Sequence, residues 1–159
     1  MRILRKIKQK GIMYCLKIGK MHAADYVNKV LYYFFCLFPL NENRIIFESE
    51  GDFSDNAQAL YQYMKDNNYF KKYHAVWLAD DPRTLQDRES VIAVNKRYEH
   101  VSFMTSYYLA TSKYYIYDHN NLLQKLRKRN NQRIVYLSHG FGFKSSKGYD
   151  KSKVVTIFD

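Results

Sequence analysis

From Asn43 to Phe158, short β-prone runs alternate with stretches of helical spacing, and this alternation restricts the fold more than any other feature. The runs are Arg44–Ser49, His74–Asp80, Val91–Asn95, Lys113–Asp118, Arg133–Ser138 and Val154–Phe158. After the first run, Asp55 with Gln58 three residues on signals a helix start, and Ala57, Leu60, Tyr61 and Met64 share a face up to about Asn67. Phe103, Met104, Tyr107, Tyr108 and Thr111 recur at the same spacing over 101–111, and Leu122–Arg129 reads as a short basic helix. Strands and helices in turn, joined by short polar loops, predict an α/β fold: a Rossmann-like parallel sheet with helices on both faces. Asp80-Asp81 directly before Pro82 reads as a turn and not as a metal-held phosphate site.

The N-terminal 40 residues have a different texture. They hold eight Lys/Arg against one acid, Asp25, a local charge of +7 within a total of +11. Ile3, Leu4, Ile7, Tyr14, Cys15 and Ile18 fall near one helical face, with Arg2, Arg5, Lys6, Lys8 and Lys17 around the others. Gly11 weakens an unbroken helix over 1–20. The run Val30–Phe38, ended by Pro39, is well short of the ~20 apolar residues a spanning helix needs. Residues 1–40 therefore read as an amphipathic extension lying on an anionic membrane surface, or as a core-packing helix with a solvated basic face. Residues 41–159 form the Rossmann-like domain. A nucleic-acid module using Lys125, Arg127, Lys128, Arg129 and Arg133 fits less well, because aromatics and cations do not interleave. Cys15 and Cys36 cannot staple the rest of the chain and follow no signal peptide, which implies a reducing, cytoplasmic setting.

Several chemistries lack their motifs. No GxGxxG follows the first strand, and there is no P-loop, no GxSxG elbow and no paired metal-ligand spacing among the five histidines, so neither metal nor cofactor is expected. What remains is polar residues just past strand ends, where an open α/β sheet places its site. The fifth run delivers His139, then Gly140, Gly142 and Lys144. Imidazole titrates near neutral pH and can take a proton from an attacking hydroxyl, glycine admits close backbone approach, and the lysine can hold a phosphate. Asp118 and His119 follow the fourth run and read as an ordinary loop.

The order of these segments carries a resemblance. RIIFES, a loop and SDNAQALYQYM, then HAVWLADDP, then SYYLATSKYYIYD, then YLSHGFGFK resemble, in sequence and order, the N-terminal half of the CDP-glycerol glycerophosphotransferase family of teichoic-acid primases and polymerases. The last segment falls where that family carries Trp-His-Gly-Thr-Pro-Leu-Lys, so His139, Gly140 and Lys144 match, whereas Ser138, Phe141, Gly142 and Phe143 depart from it. The resemblance implies the N-terminal domain of a GT-B-like transferase, with His139 as the base on an acceptor hydroxyl. Gly140, Gly142, Lys144, Ser54, Asp55 and Asn56 would lie about the substrate phosphates. It further implies a CDP-glycerol or CDP-ribitol donor held by a second domain, a lipid-linked polymer acceptor, release of CMP, and a peripheral place on the cytoplasmic face of the plasma membrane. The chain is then expected to be a truncated acceptor-side half, inactive alone, with self-association open to it. The departures at 141–143 bear on acceptor identity more than on reaction class.

Overall fold

The computed structural model describes residues 11–84, 91–95, 100–119 and 126–138. Five strands form one sheet in the order β3-β2-β1-β4-β5: β1 (Asn41–Glu48), β2 (His74–Ala79), β3 (Val91–Asn95), β4 (Ser112–Tyr117) and β5 (Arg133–Tyr136). All four pairings are parallel. The helices are α1 (Ile12–Phe35), α2 (Asp55–Asp66) and α3 (Phe103–Thr111). Chain order runs outward from β1 to β3 and then returns to β4 on the other side of β1. The carboxyl ends of β1 and β4 therefore flank the crevice where a doubly wound sheet reverses direction.

The apolar runs alternate across the sheet as a two-sided core requires. Ile45, Phe47, Ala75, Trp77 and Ile116 pack with Ala57, Tyr61 and Met64 of α2. Ile46, Val76, Leu78, Tyr115 and Tyr117 point the other way, into a cluster with Tyr108, Leu109 and Ala110 of α3 and Tyr32 of α1. On the first side Trp77 lies against Phe47, Phe53 and Tyr61, with ring centroids 5.4, 4.7 and 5.8 Å away.

The N-terminal region departs from its expected form. Among the described residues a single helix of 24 residues begins after Gly11, whose φ of 82° suits glycine, and runs without a break through the stretch between the two expected helical segments, while residues 1–10 of the first lie outside the described residues. Ala24, Asn28 and Tyr32 recur every fourth residue on its buried face. The buried Asn28 side chain donates to the His100 carbonyl (2.9 Å) and accepts from the Ser102 N–H (2.8 Å). The Ser106 hydroxyl donates to the Asn28 carbonyl (3.3 Å). The second half of α1 is thus joined to the sheet domain through α3.

The described part of the expected basic helix over 122–129 is also different, since residues 126–129 are not helical. Arg129 instead donates to the carbonyls of Phe38 (2.8 Å) and Ala110 (2.9 Å). Gln132, fully buried, donates to the carbonyls of Leu109 (2.8 Å) and Ser112 (3.0 Å). The Tyr32 hydroxyl donates to the Arg127 carbonyl (3.0 Å). Arg129 and Gln132 thereby satisfy the carbonyls of Ala110 and Leu109 in the last turn of α3, which local helix periodicity does not foresee. The sixth run, Val154–Phe158, lies outside the described residues.

Candidate functional site

The carboxyl edge at the β1–β4 crevice is lined by acids from three segments. Glu48 closes β1 and is buried, accepting a hydrogen bond from the Tyr115 hydroxyl. The loop beyond it is tightly folded. Ser49 Oγ donates to the Gly51 carbonyl and accepts from the Ser54 N–H, and a Cβ on Gly51 would come within 2.9 Å of Ser54 Oγ. Asp52 reaches across to the end of β2, where its two carboxylate oxygens accept the N–H groups of Asp80 (2.7 Å) and Asp81 (2.8 Å). Asp81 forms the expected turn, accepting from the backbone and guanidinium of Arg83. Phe53 and Asp55 adopt positive φ angles of 53° and 57°, uncommon for residues with a Cβ, so the loop is held in a specific shape as it enters α2.

The start of α2 is secured from a distance. Ser54 occupies the cap position but its side chain makes no capping bond, and the Asp55–Gln58 signal does not cap the helix. Instead Asp118, fully buried just past β4, accepts the Ala57 N–H through Oδ2 at 3.0 Å. A carboxylate at a helix N-terminus is favoured by both the free N–H groups and the helix dipole. One residue earlier, Asn56 donates its side-chain amide to the Ser138 carbonyl at 3.3 Å. Beside these tethers the Leu137 N–H donates to the Tyr117 carbonyl at 2.8 Å, extending the β4–β5 pairing past its last ladder residue. The first turn of α2 is therefore fastened to the ends of two adjacent strands. Asp118 Oδ1 is also buried and has no hydrogen-bond partner.

The expected loop reading of Asp118 is thus replaced by a buried helix cap. His119 is exposed, with Nε2 3.6 Å from Glu50 Oε1. Of the predicted substrate residues, Ser54 and Asn56 are half-buried within the tethered turn and Asp55 is exposed. His139, Gly140, Gly142 and Lys144 lie outside the described residues, as do Arg2, Arg5, Lys6 and Lys8; Lys17 is exposed on α1. Ser138, which precedes His139, lies at this same edge. Among the described residues no group of His, Cys, Asp and Glu is arranged to hold a metal ion. The placement of Glu48, Asp52 and Asp118 past strand ends, at one edge of the sheet, was legible in the sequence, but the bonds by which they organise that edge were not. Their only signal was position, each falling at or just after a strand end.

A doubly wound parallel sheet with its polar loops gathered at the reversal point defines the class: a Rossmann-like α/β module. The family model for CDP-glycerol:poly(glycerophosphate) glycerophosphotransferase matches residues 30–157, and the chain belongs to that family. The match begins inside α1, in keeping with the attachment of that helix to the sheet. Among solved structures, the fold is similar to that of the wall teichoic acid polymerase TagF. A variant soaked with CDPG for 15 minutes superposes with a TM-score of 0.57 at 21% identity, covering 87% of this chain and 31% of that one. A TagF structure without a named substitution gives 0.58 at 20% identity, covering 79% and 32%. At these identities the likeness establishes the fold, and the chain spans about a third of the polymerase. No curated protein matches this chain.

Proposed function

We propose that this chain is the acceptor-side module of a CDP-glycerol glycerophosphotransferase of teichoic-acid or related cell-surface polymer synthesis. The observation that carries this reading is the family match over residues 30–157, together with a crevice at whose edge β5 leads into His139. In the reaction, an acceptor hydroxyl on a lipid-linked polymer gives its proton to His139 as its oxygen attacks the glycerol-bearing β-phosphorus of CDP-glycerol. The bond from that phosphorus to the oxygen bridging it to the α-phosphorus breaks, and CMP leaves. Positioning and charge neutralisation supply most of the acceleration in such transfers, and Lys144 offsets phosphate charge. CDP-ribitol is the alternative donor. In this reading a second domain of the family holds the nucleotide; the 159 residues span about a third of the polymerase they resemble.

The module acts at the cytoplasmic membrane face as a peripheral protein. No helix among the described residues is long and apolar enough to cross a bilayer. Support for surface attachment comes from α1, whose outward side bares Ile12, Leu16, Tyr26, Val30 and Phe34, in the most basic part of the chain. An apolar stripe beside cations suits the boundary of an anionic bilayer. The internal bonds of Arg129 leave the rival nucleic-acid reading without one of its cations.

The test joins this chain to a donor-binding domain of the family and measures CMP release from CDP-glycerol with a glycerol-phosphate primed acceptor. Transfer is expected, with His139→Ala lowering kcat by about 100-fold or more, the span typical of general-base catalysis. Full activity of the alanine variant would remove His139 from the mechanism.

A further inference from the structure

We propose that the amino-terminal edge of the sheet, opposite the crevice, is a holding surface for a phosphodiester polymer, the glycerol-phosphate chain that the reaction lengthens. The identity of that ligand rests on the proposed function, whereas the surface itself is read from charge. All strands run the same way, so loops entering strands lie at one edge and loops leaving them at the other. Among the described residues these two edges carry opposite charge. Glu48, Glu50, Asp52, Asp80, Asp81 and Asp118 gather where strands end, and Arg83 there is paired with Asp81. Lys71 and Lys72 stand just before β2, Arg127 and Lys128 a few residues before β5, and Lys113 and Arg133 at the starts of β4 and β5. The described acids at this edge are Glu42, paired with Lys113 at 2.8 Å, and Asp66, which accepts from Gln62.

The two basic loops are held in place by bonds that leave their cations outward. Lys71, Lys72, Arg127 and Lys128 are all exposed. Residues 126–132 are not helical, yet their position is fixed: the Arg127 carbonyl accepts from Tyr32, Arg129 donates to Phe38 and Ala110, and Gln132 donates to Leu109 and Ser112. At the other loop Tyr73 packs edge-on against Tyr114 with centroids 6.1 Å apart, and the Lys72 ammonium lies over the Tyr73 ring at 5.2 Å. β1 and β4 separate β2 from β5, so the loops stand about 14 Å apart at a strand spacing of ~4.8 Å. One phosphate cannot bridge that gap. A chain with a negative charge on every repeat can, and counterion release on contact supplies its affinity. The acidic edge repels the same chain. The polarity of the module thus limits the polymer at the crevice to its reacting end and draws the body of the chain to the far edge.

The experiment measures, by fluorescence anisotropy over a range of salt, binding of a labelled glycerol-phosphate oligomer, long enough to reach both loops, to the 159-residue chain. Combining Lys71→Gln, Lys72→Gln, Arg127→Gln and Lys128→Gln is expected to raise Kd about 10-fold or more, the scale of four exposed ionic contacts, and to flatten the salt dependence. Lys17→Gln with Lys20→Gln, exposed on α1, controls for net charge and is expected to keep Kd within about twofold. An unchanged Kd in the fourfold variant overturns the proposal, as does an equal loss per charge removed in the control. Should the fourfold variant not fold, Arg127→Gln with Lys128→Gln is the second arm, with a rise of about threefold expected and an unchanged Kd equally fatal. A single-stranded RNA of the same charge that binds more tightly than the oligomer, and loses as much in the variant, overturns the choice of ligand. No donor is present in this measurement. Failure of transfer in the joined enzyme would therefore strike down the proposed reaction without altering the binding result, and an unchanged Kd would remove the basic edge without touching transfer.

Discussion

On one face of the sheet Trp77 sits among Phe47, Phe53 and Tyr61 beneath a single helix, whereas on the other α1 and α3 are set in register by amide and guanidinium groups of Asn28, Arg129 and Gln132. Ring packing yields much burial free energy but little directional preference. Buried amides work the other way. Each contributes little net stability, yet a misplaced partner leaves a desolvated polar group, so α1 has one permitted seat. The α2 face is therefore held mainly by ring burial, whereas the α1–α3 face adds directed bonds that fix the placement of the N-terminal helix. Trp77→Ala should break this contrast most severely, costing about 3–5 kcal/mol in urea unfolding, the range for removing a buried large aromatic. Trp77→Phe should cost much less, because the buried indole N–H has no partner to lose. A small effect of the alanine variant would mean that the aromatic plate is not the principal core.

A smaller effect, confined to the other face, is expected in alkali. Burial pushes the Tyr32 hydroxyl well above its ordinary range, with the neighbouring Cys36 adding to the shift and Arg129 opposing it. Burial likewise raises the Cys36 thiol, against the pull of Arg129. Both groups are held neutral in the fold and ionise more readily in the unfolded chain. Their contribution is thus complete below the unfolded values, about 8.5 for Cys and 10 for Tyr, and is lost as pH rises toward the folded ones. Stability should decline from about pH 9, reaching a loss of about 1–2 kcal/mol from Tyr32 by pH 11. Tyr32→Phe should flatten that decline, and hydrogen exchange should locate the loosening in α1 before the Trp77 face. A decline identical in the phenylalanine variant would place the sensitive groups elsewhere.

The same contrast explains what the sequence disclosed. Alternating apolar runs recorded the sheet, because Ile45 and Phe47 face one side and Ile46 the other, a pattern carried within a few residues. Strand bounds moved modestly, β1 beginning at Asn41 instead of Arg44. The helix start at Asp55 was also legible, but its cap was not, since Asp118 is 61 residues further on. The burial of Asn28 depends on carbonyl and N–H groups of residues 100–106, which no local period encodes. Arg129 looked like the end of a basic helix because charge spacing reports solvent exposure, not long-range capping, and nothing local marked Gln132 as a buried donor. At the site, the gathering of residues 48–56 and Asp118 at one sheet edge was legible from their strand-end positions, while the bonds of Asp52 to the end of β2 and of Asp118 to Ala57 emerged only from the fold.

The smallest stability effect should come from the outward side of α1, an apolar surface that neither core uses among the described residues. Tyr26 and Val30 are exposed, at 70% and 52%, one turn apart on the side of α1 away from Asn28 and Tyr32, and belong to neither core. Replacing both by glutamate removes no core contact, so unfolding free energy should change by no more than about 0.5 kcal/mol, as for other exposed sites. Binding to vesicles rich in anionic lipid should nevertheless fall steeply, because two charges now enter the apolar boundary and face like charge. Neutral vesicles should bind the unaltered chain weakly, and salt should loosen its hold on anionic ones. If the paired substitution instead lowers stability by several kcal/mol and changes sedimentation from a dimer to a monomer, a second copy covers this face and the membrane assignment fails. Unchanged vesicle binding with unchanged stability would move attachment away from the outer side of α1, leaving that helix with only its seat on α3.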